Sequence, residues 1–348
     1  MRKLLITGGA GFIGANFVHH WTARHPADQV TVLDALTYAG SRLNLQVLEG
    51  REGFRFVHGD ICDEALVNQL MRERAIDTVA HFAAESHVDR SIDGPDAFIH
   101  TNIVGTHVLL KAAKAAWAGK PGTFRFHHVS TDEVFGSLGP RDPAFHEHTP
   151  YDPSSPYSAS KAASDHLVRA YHRTYGLPVS LTNCSNNYGP YQYPEKLIPV
   201  IILNALAGRP IPVYGDGKNV RDWLFVTDHC SAIERVLERG KLGETYNVGG
   251  NSERSNLEIV RTICKLLDKR RAGSAHRPHE KLISFVQDRP GHDRRYAIDM
   301  GHIHRELGWQ PTEDLPGGLA KTVDWYLSHL DWCESVNPGS KKPGNAVG

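Results

Sequence analysis

The sequence predicts an α/β protein. A doubly wound parallel sheet is expected over residues 1–182 and a smaller α+β domain, mainly for substrate, over 183–335, with some later segments returning to the first domain. Three observations carry this. A glycine-rich turn joins the first strand pattern to the first helical pattern. Short apolar runs alternate with longer helical patterns through the first half, as parallel sheets with helical crossovers require. Past residue 183, Pro190, Pro194, Pro199, Pro210 and Pro212 cut the chain into shorter pieces.

Taken in order, strands are expected at 3–7, 29–33, 55–58, 78–82, 124–130 and 179–183, where β-branched and apolar residues cluster. Helical spacing falls between them, at 11–25, 64–74, 97–117 and 157–175. The two longest patterns carry small and apolar residues on one face: Val104, Val108 and Ala112, then Ala159, Ala163, Leu167 and Ala170. That spacing suits packing on the sheet and equally suits pairing with a second subunit. Shorter helices are expected at 198–206, 228–239 and 256–267. The tail, 336–348, is short on apolar residues and is expected to be disordered.

Lys+Arg and Asp+Glu are equal at 39 each, so bulk charge offers no argument for nucleic acid or a membrane surface. The five cysteines are widely spaced, with no metal-finger or redox spacing, which fits reduced thiols and a cytoplasmic protein. No signal peptide pattern follows Met1. The apolar run at 197–206 is too short to span a bilayer. Histidine is abundant, but His19-His20 and His127-His128 lack ligand spacing, so no metal site is expected.

The turn reads Gly8-Gly9-Ala10-Gly11-Phe12-Ile13-Gly14. Gly8 makes the tight turn, Gly11 lets a pyrophosphate approach the backbone, and Gly14 lets helix and strand pack closely. The helix N-terminus then faces the phosphates. Asp34 follows Gly14 by 20 residues at the end of the second strand pattern. There it suits an adenosine ribose and disfavours a 2′-phosphate, so the cofactor expected is NAD in a Rossmann-like domain. A turn or capping aspartate is the plainer reading of Asp34, and a solvated loop acid that of Asp60.

Two further patterns carry chemistry. Tyr157 and Lys161 lie four apart and share a helix face. A nearby ammonium favours the phenolate of a tyrosine, which is otherwise a poor base at neutral pH. Asp132 and Glu133 follow the strand end at Ser130-Thr131, where open α/β sheets bind ligands. Two carboxyls in unlike environments can divide acid and base roles in eliminating water. Alone, the same pair also fits a capping aspartate beside a solvated glutamate.

These motifs, with ITGGAGFIG (6–14), FAAESHVDRSI (82–92), STDEVFG (130–136), SPYSASKAASDHLV (155–168), NCSNNYGPYQYPEKLIP (183–199) and DRPGHDRRYAID (288–299), resemble the extended short-chain dehydrogenase/reductases and, within them, the dTDP-glucose 4,6-dehydratases. The resemblance runs from about residue 3 to 330. It implies oxidation of dTDP-glucose at carbon 4, elimination of water across carbons 5 and 6, and hydride return to carbon 6, giving dTDP-4-dehydro-6-deoxy-glucose with NAD regenerated. Tyr157 would take the carbon-4 hydroxyl proton with Thr131 orienting that oxygen, Glu133 the carbon-5 proton, and Asp132 would protonate the leaving oxygen.

By position the resemblance also implies NAD contacts at Phe12, Ile13, Asp34, Leu36, Thr37, Asp60, Ile61, Ala83, Ala84, Thr101, Tyr157, Lys161 and Asn187. Nucleotide-sugar contacts would come from Ser86, Asn186, Lys196, Leu197, Pro212, Tyr214, Arg221, Asn256, Arg289 and His292. Arg221 suits the diphosphate because guanidinium pairs phosphate oxygens bidentately. Spacing alone also fits an ion pair of Arg221 with Asp222 or Asp216. The resemblance further implies a homodimer formed through the two long helices. Rival readings are a 4,6-dehydratase for a UDP-, CDP- or GDP-linked sugar, a 4-epimerase or decarboxylase of the same fold, and a non-enzymatic NAD-binding protein. The epimerase and decarboxylase reactions need no acid-base pair at 132–133.

Overall fold

The computed structural model describes residues 1–337. In chain order its first elements are β1 (Lys3–Thr7), α1 (Phe12–Arg24), β2 (Gln29–Asp34), β3 (Phe54–His58), α2 (Glu64–Glu73), β4 (Thr78–His81), α3 (Val88–Asp93), α4 (Asp96–Phe98), α5 (Thr106–Trp117), β5 (Arg125–Thr131), α6 (Pro156–Tyr175) and β6 (Val179–Cys184). There follow β7 (Asn186–Tyr188), α7 (Leu197–Leu206), β8 (Ile211–Tyr214), β9 (Val220–Phe225), α8 (Val226–Arg239), β10 (Thr245–Val248), β11 (Glu253–Ser255), α9 (Asn256–Arg270), β12 (Ile283–Val286), α10 (Gly301–Leu307), α11 (Leu315–Ser328) and α12 (Leu330–Val336).

The main sheet has the order β10-β6-β5-β4-β1-β2-β3, and its paired strands all run parallel. The α/β doubly wound expectation holds. Strands buried on both faces need continuous apolar runs, and Leu4, Leu5 and Ile6 of β1 are fully buried. One face is covered by α1 and α8 through Phe17, Trp21, Ile233 and Leu237. The other is covered by α2, α5 and α6 through Val67, Leu109 and Val168. The chain order changes direction between β1 and β4, which opens a crevice at their C-terminal ends. α8 and β10 come from beyond residue 183 yet build this sheet and its cover.

The rest of the later chain forms a three-stranded sheet, β11-β9-β7, and a two-stranded sheet, β12-β8. Its core is Ile198, Ile201 and Ile202 of α7 against Ile259 and Ile263 of α9 and Leu319 and Val323 of α11.

Two expectations need correction. The helix expected at 97–117 is interrupted by a π-helical stretch, Ile99–Gly105. There the Asn102 carbonyl accepts from the Thr106 and Ser164 hydroxyls, while its side chain donates to Ser160 Oγ. Side chains bonding into the ladder widen the turn, as happens at functional sites. In the Arg/His-rich loop 270–281, His279 is fully buried with Nδ1 2.6 Å from Asp268 Oδ1. The expected tail begins two residues early: Val336 closes α12, and 338–348 lie outside the described residues. On the two long helices, Val108 and Ala112 are buried against the sheet, whereas Val104 is exposed, as are Ala159 and Ala170.

Candidate active site

A cavity of about 320 Å³ lies along the C-terminal ends of β1, β2, β4, β5 and β6. Its walls take in Gly8, Gly11, Phe12, Ile13, Gly14, Asp34, Thr37, Asp60, Ile61, Ala83, Ala84, Thr101 and Asn187 at one end. Thr131, Asp132, Glu133, Tyr157, Lys161, Ser86, Asn186 and Lys196 line the other.

The cofactor end is built from backbone. Gly8 has φ 70, and a Cβ there would fall 2.5 Å from Ala83 N. A Cβ on Gly14 would fall 2.1 Å from the Gly8 carbonyl oxygen. Gly11 caps α1 with no side-chain hydrogen bond, so the first N–H groups of α1 remain for an anion. Asp34 closes β2; its carboxylate accepts from Ala10 N at 2.9 Å and Leu36 N at 2.8 Å. Burial pushes this carboxyl up, against those two bonds. It is therefore a turn-holding aspartate that also lines the cavity. Leu36 itself does not line the cavity; its role is the backbone bond to Asp34 and a left-handed φ of 51. This donor set and these close approaches fit a dinucleotide with a free ribose.

At the chemical end, Thr131 caps a 3₁₀ turn, Asp132–Phe135. Its hydroxyl accepts from Glu133 N at 3.2 Å and donates to Asp132 Oδ1 at 3.4 Å. Thr131, not Asp132, is the cap. Asp132 is buried and its Oδ2 has no hydrogen-bond partner. Burial, then the charge of Glu133, push the Asp132 carboxyl well above the usual range. Glu133 is half-buried, and burial raises it too, but Arg289, Arg221 and Lys196 oppose that rise. Two adjacent carboxyls thus differ: one is buried with an unpartnered oxygen, the other is under the influence of three cations.

Tyr157 sits in the first turn of α6, whose Ser155 N-cap forms a capping box with Ser158. Burial and the charge of Glu133 push its hydroxyl well above the ordinary value, and the Thr131 hydroxyl pulls the other way. Lys161 is buried, donates to Val129 O at 2.9 Å, and has Nζ 3.3 Å from His128 Nε2. Burial lowers its pKa to about 8.

The remaining candidates do not line this cavity but stand beyond it on the smaller domain. Arg221 is buried; it donates to Asp293 O at 2.9 Å and stacks on the Tyr296 ring at 4.1 Å. Asp216 pairs with Arg294 instead, and Asp222 accepts from Gly250 N and Ser252 N, so the surface-pair reading of Arg221 fails. Arg289 Nη1 reaches Asp89 Oδ1 at 3.0 Å across the cleft, and its Nε is buried without a partner. Tyr214 meets His292 edge-on, and His292 Nδ1 lies 2.5 Å from Asp288 Oδ1. Asn256 opens α9 with a buried, unpartnered Oδ1. Pro212 lies on β8, and Leu197 packs against the core of the smaller domain.

Several lining residues escaped the sequence reading: Tyr38, Glu85, Cys184, Ser185, Gln192, Tyr193 and Glu195. Arg90 lies over the Tyr38 ring at 3.9 Å and pairs with Glu195 at 3.1 Å, a latch from three distant segments. The signal that could have found such lining residues is adjacency: Tyr38 follows Thr37, Glu85 precedes Ser86, Ser185 precedes Asn186 and Glu195 precedes Lys196. His127 and His128 do point to opposite sides of β5, toward Ser180 and toward Lys161. Elsewhere, His25, Glu234 and Glu238 bring three ligand atoms together, but the Arg24 guanidinium already occupies Glu234 at 2.8 Å.

Residues 5–322 match the GDP-mannose 4,6 dehydratase family. The chain belongs to this family. Within it, the chain is 60% identical over 344 residues to the dTDP-glucose 4,6-dehydratase of Xanthomonas campestris pv. campestris (strain B100), covering 98% of this chain and 97% of that one. It is 56% identical over 348 residues to the dTDP-glucose 4,6-dehydratase of Neisseria meningitidis serogroup B, covering 98% and 97%. A dTDP-glucose 4,6-dehydratase from Streptomyces venezuelae, solved with NAD and TYD bound, has a TM-score of 0.88 and 49% identity, covering 97% of this chain and all of that one. This family member's cavity thus runs along the sheet edge from the glycine turn to the Asp132–Glu133 pair.

Proposed function

We propose that the protein is an NAD-dependent dTDP-glucose 4,6-dehydratase, a hydro-lyase yielding dTDP-4-dehydro-6-deoxy-glucose. One observation carries the reading: a buried carboxyl with one unpartnered oxygen and a carboxyl under the influence of three cations, Asp132 and Glu133, share one cavity with Tyr157, Lys161 and a dinucleotide turn. Identity of 60% to a protein of that name supports it. NAD, when bound, supplies the hydride acceptor at carbon 4 and the hydride donor at carbon 6.

The chain supplies the protons and the positioning. Tyr157 takes the carbon-4 hydroxyl proton, with Thr131 orienting that oxygen. Glu133 removes the carbon-5 proton, its anion favoured by Arg289, Arg221 and Lys196, and carbon 5 takes a proton back as hydride returns to carbon 6. Asp132, held protonated by burial, delivers its proton to the oxygen leaving carbon 6. Arg221 and Arg289 hold the diphosphate; Asp89 keeps Arg289 in place until then. Lys196, Tyr214, Asn256 and His292 complete the nucleotide-sugar side. The protein works as a homodimer, and the exposed Ile99, Val104 and Tyr175 along the two long helices support that face. Its five free cysteines fit a reducing cytoplasm.

Incubating the purified protein with dTDP-, UDP-, CDP- and GDP-glucose, and following product mass, tests the reading. The dTDP sugar is expected to lose water fastest. Preferred dehydration of another nucleotide sugar shifts the specificity, and epimerisation without loss of water overturns the reaction.

A further inference from the structure

We propose that Asp165, a buried carboxylate beside the His128–Lys161 contact, is the positioning residue that keeps the Lys161 ammonium charged and seated beside the reacting centre. This rests on the dehydratase reading, in which Lys161 must serve Tyr157.

A buried ammonium needs a partner, because removing it from water costs several kcal/mol. Lys161 is 4% exposed. The titratable groups around it come from each packed element: His81 on β4, His128 on β5, Cys184 on β6, and Tyr157 and Asp165 on its own helix. Burial keeps His81 neutral and lowers His128 to about 4. Burial also pushes up the Cys184 thiol and the Tyr157 hydroxyl. Only Asp165 remains to hold a negative charge. Burial pushes its carboxyl up, but His128, Lys161 and Tyr151 prevail and hold it below the usual carboxylate range.

The geometry makes this a fixed charge. Asp165 follows Lys161 by four residues, on the same helix face as Tyr157. His128 Nε2 stands 3.3 Å from both Lys161 Nζ and Asp165 Oδ1. In the neutral ring that one nitrogen accepts from the ammonium, and Asp165 Oδ1 faces the pair as a buried charge with no hydrogen bond of its own. Both His128 and Asp165 side chains are fully buried. Asp165 Oδ2 accepts from Tyr151 OH at 2.7 Å and Asn183 Nδ2 at 3.2 Å. Arg169 braces Tyr151 OH at 2.8 Å, and Asn183 Nδ2 also donates to Thr131 O at 3.1 Å. The carboxylate is therefore tied to the strand end that carries Thr131, Asp132 and Glu133. Charge-assisted bonds of this kind hold geometry tightly in a low-dielectric interior.

The test is Asp165→Asn in the full chain with bound NAD, reading the pH dependence of NAD reduction by dTDP-glucose in a single turnover. Losing the anion disfavours the ammonium, so Lys161 sheds its proton at lower pH. The alkaline limb is expected to move down by about one pH unit, a loss of about tenfold on that limb. KM for dTDP-glucose should change less than about threefold, since binding groups are untouched. Asp165→Glu should restore part of the limb. An unmoved limb, including a uniform loss at every pH, overturns the proposal. Should Asp165→Asn not fold, Tyr151→Phe decides: a smaller downward move supports it, and an unmoved limb overturns it. A wild-type protein that never reduces its NAD with dTDP-glucose sinks the dehydratase reading itself; a reactive wild type with an unshifted variant sinks only this inference.

Discussion

The two ends of the cavity are held by different physics. The cofactor end is made of backbone and close approaches: Gly8 against Ala83, Gly14 against Gly8, Asp34 bonded to two N–H groups. Each constraint spans few residues in sequence or one strand pairing. The nucleotide-sugar end is made of charged side chains from distant segments, paired with one another across the cleft: Arg289 with Asp89, Arg90 with Glu195, Lys196 with the Ser86 carbonyl at 3.1 Å. The first end is a rigid socket. The second is a set of ion pairs that a charged ligand can exchange, and Glu133 sits where the two meet.

The largest expected effect is at that junction. Glu133→Gln keeps shape but removes the base, so product formation should slow by about 10²–10⁴-fold, while substrate still reduces bound NAD. Parallel loss of NAD reduction, read by its near-ultraviolet absorbance, would mean that Glu133 organises the site instead. Next comes the socket. Gly14→Ala puts a Cβ against the Gly8 carbonyl, and NAD retention on purification should fall by about a hundredfold in affinity, or ~2.7 kcal/mol. Wild-type NAD content in that variant would contradict the backbone account.

At the ion-pair end the effects should be smaller and salt-sensitive. Arg289→Ala should raise KM for dTDP-glucose by about tenfold with little change in NAD content. Asp89→Asn should change KM less and flatten its salt dependence, because it only removes the competitor for Arg289. Steady-state kinetics at two ionic strengths separates the two. A loss of NAD in either variant would erase the distinction between the ends. The smallest effect lies far from both: His279→Ala strands the buried Asp268 contact and should cost about 1–3 kcal/mol in denaturant unfolding, with activity unchanged.

The same contrast explains what was legible in the sequence. Strand-helix alternation and the glycine turn follow local rules, so β1, α1 and Asp34 were readable from spacing. The π-helical stretch at Ile99–Gly105 was not, because its cause is a tertiary bond between Asn102 and Ser160 on another helix. The stacking of Arg90 on Tyr38 was not legible either, since it joins separate segments. Arg221 and Arg289 entered only through resemblance to a family; the spacing of Arg221 also fitted an ion pair with Asp222 or Asp216. Asp165 stood in plain view four residues after Lys161, but its meaning depends on His128 from β5.

The central claim is that one cavity oxidises, dehydrates and reduces the same sugar. Its most direct test is to give the purified protein, with only the NAD it carries, an excess of dTDP-glucose and to follow product mass. The account predicts many turnovers to a 4-keto-6-deoxy product, one water lighter, with no added NAD consumed. Conversion that stops after one equivalent per bound NAD, or a product that has lost no water, would contradict it.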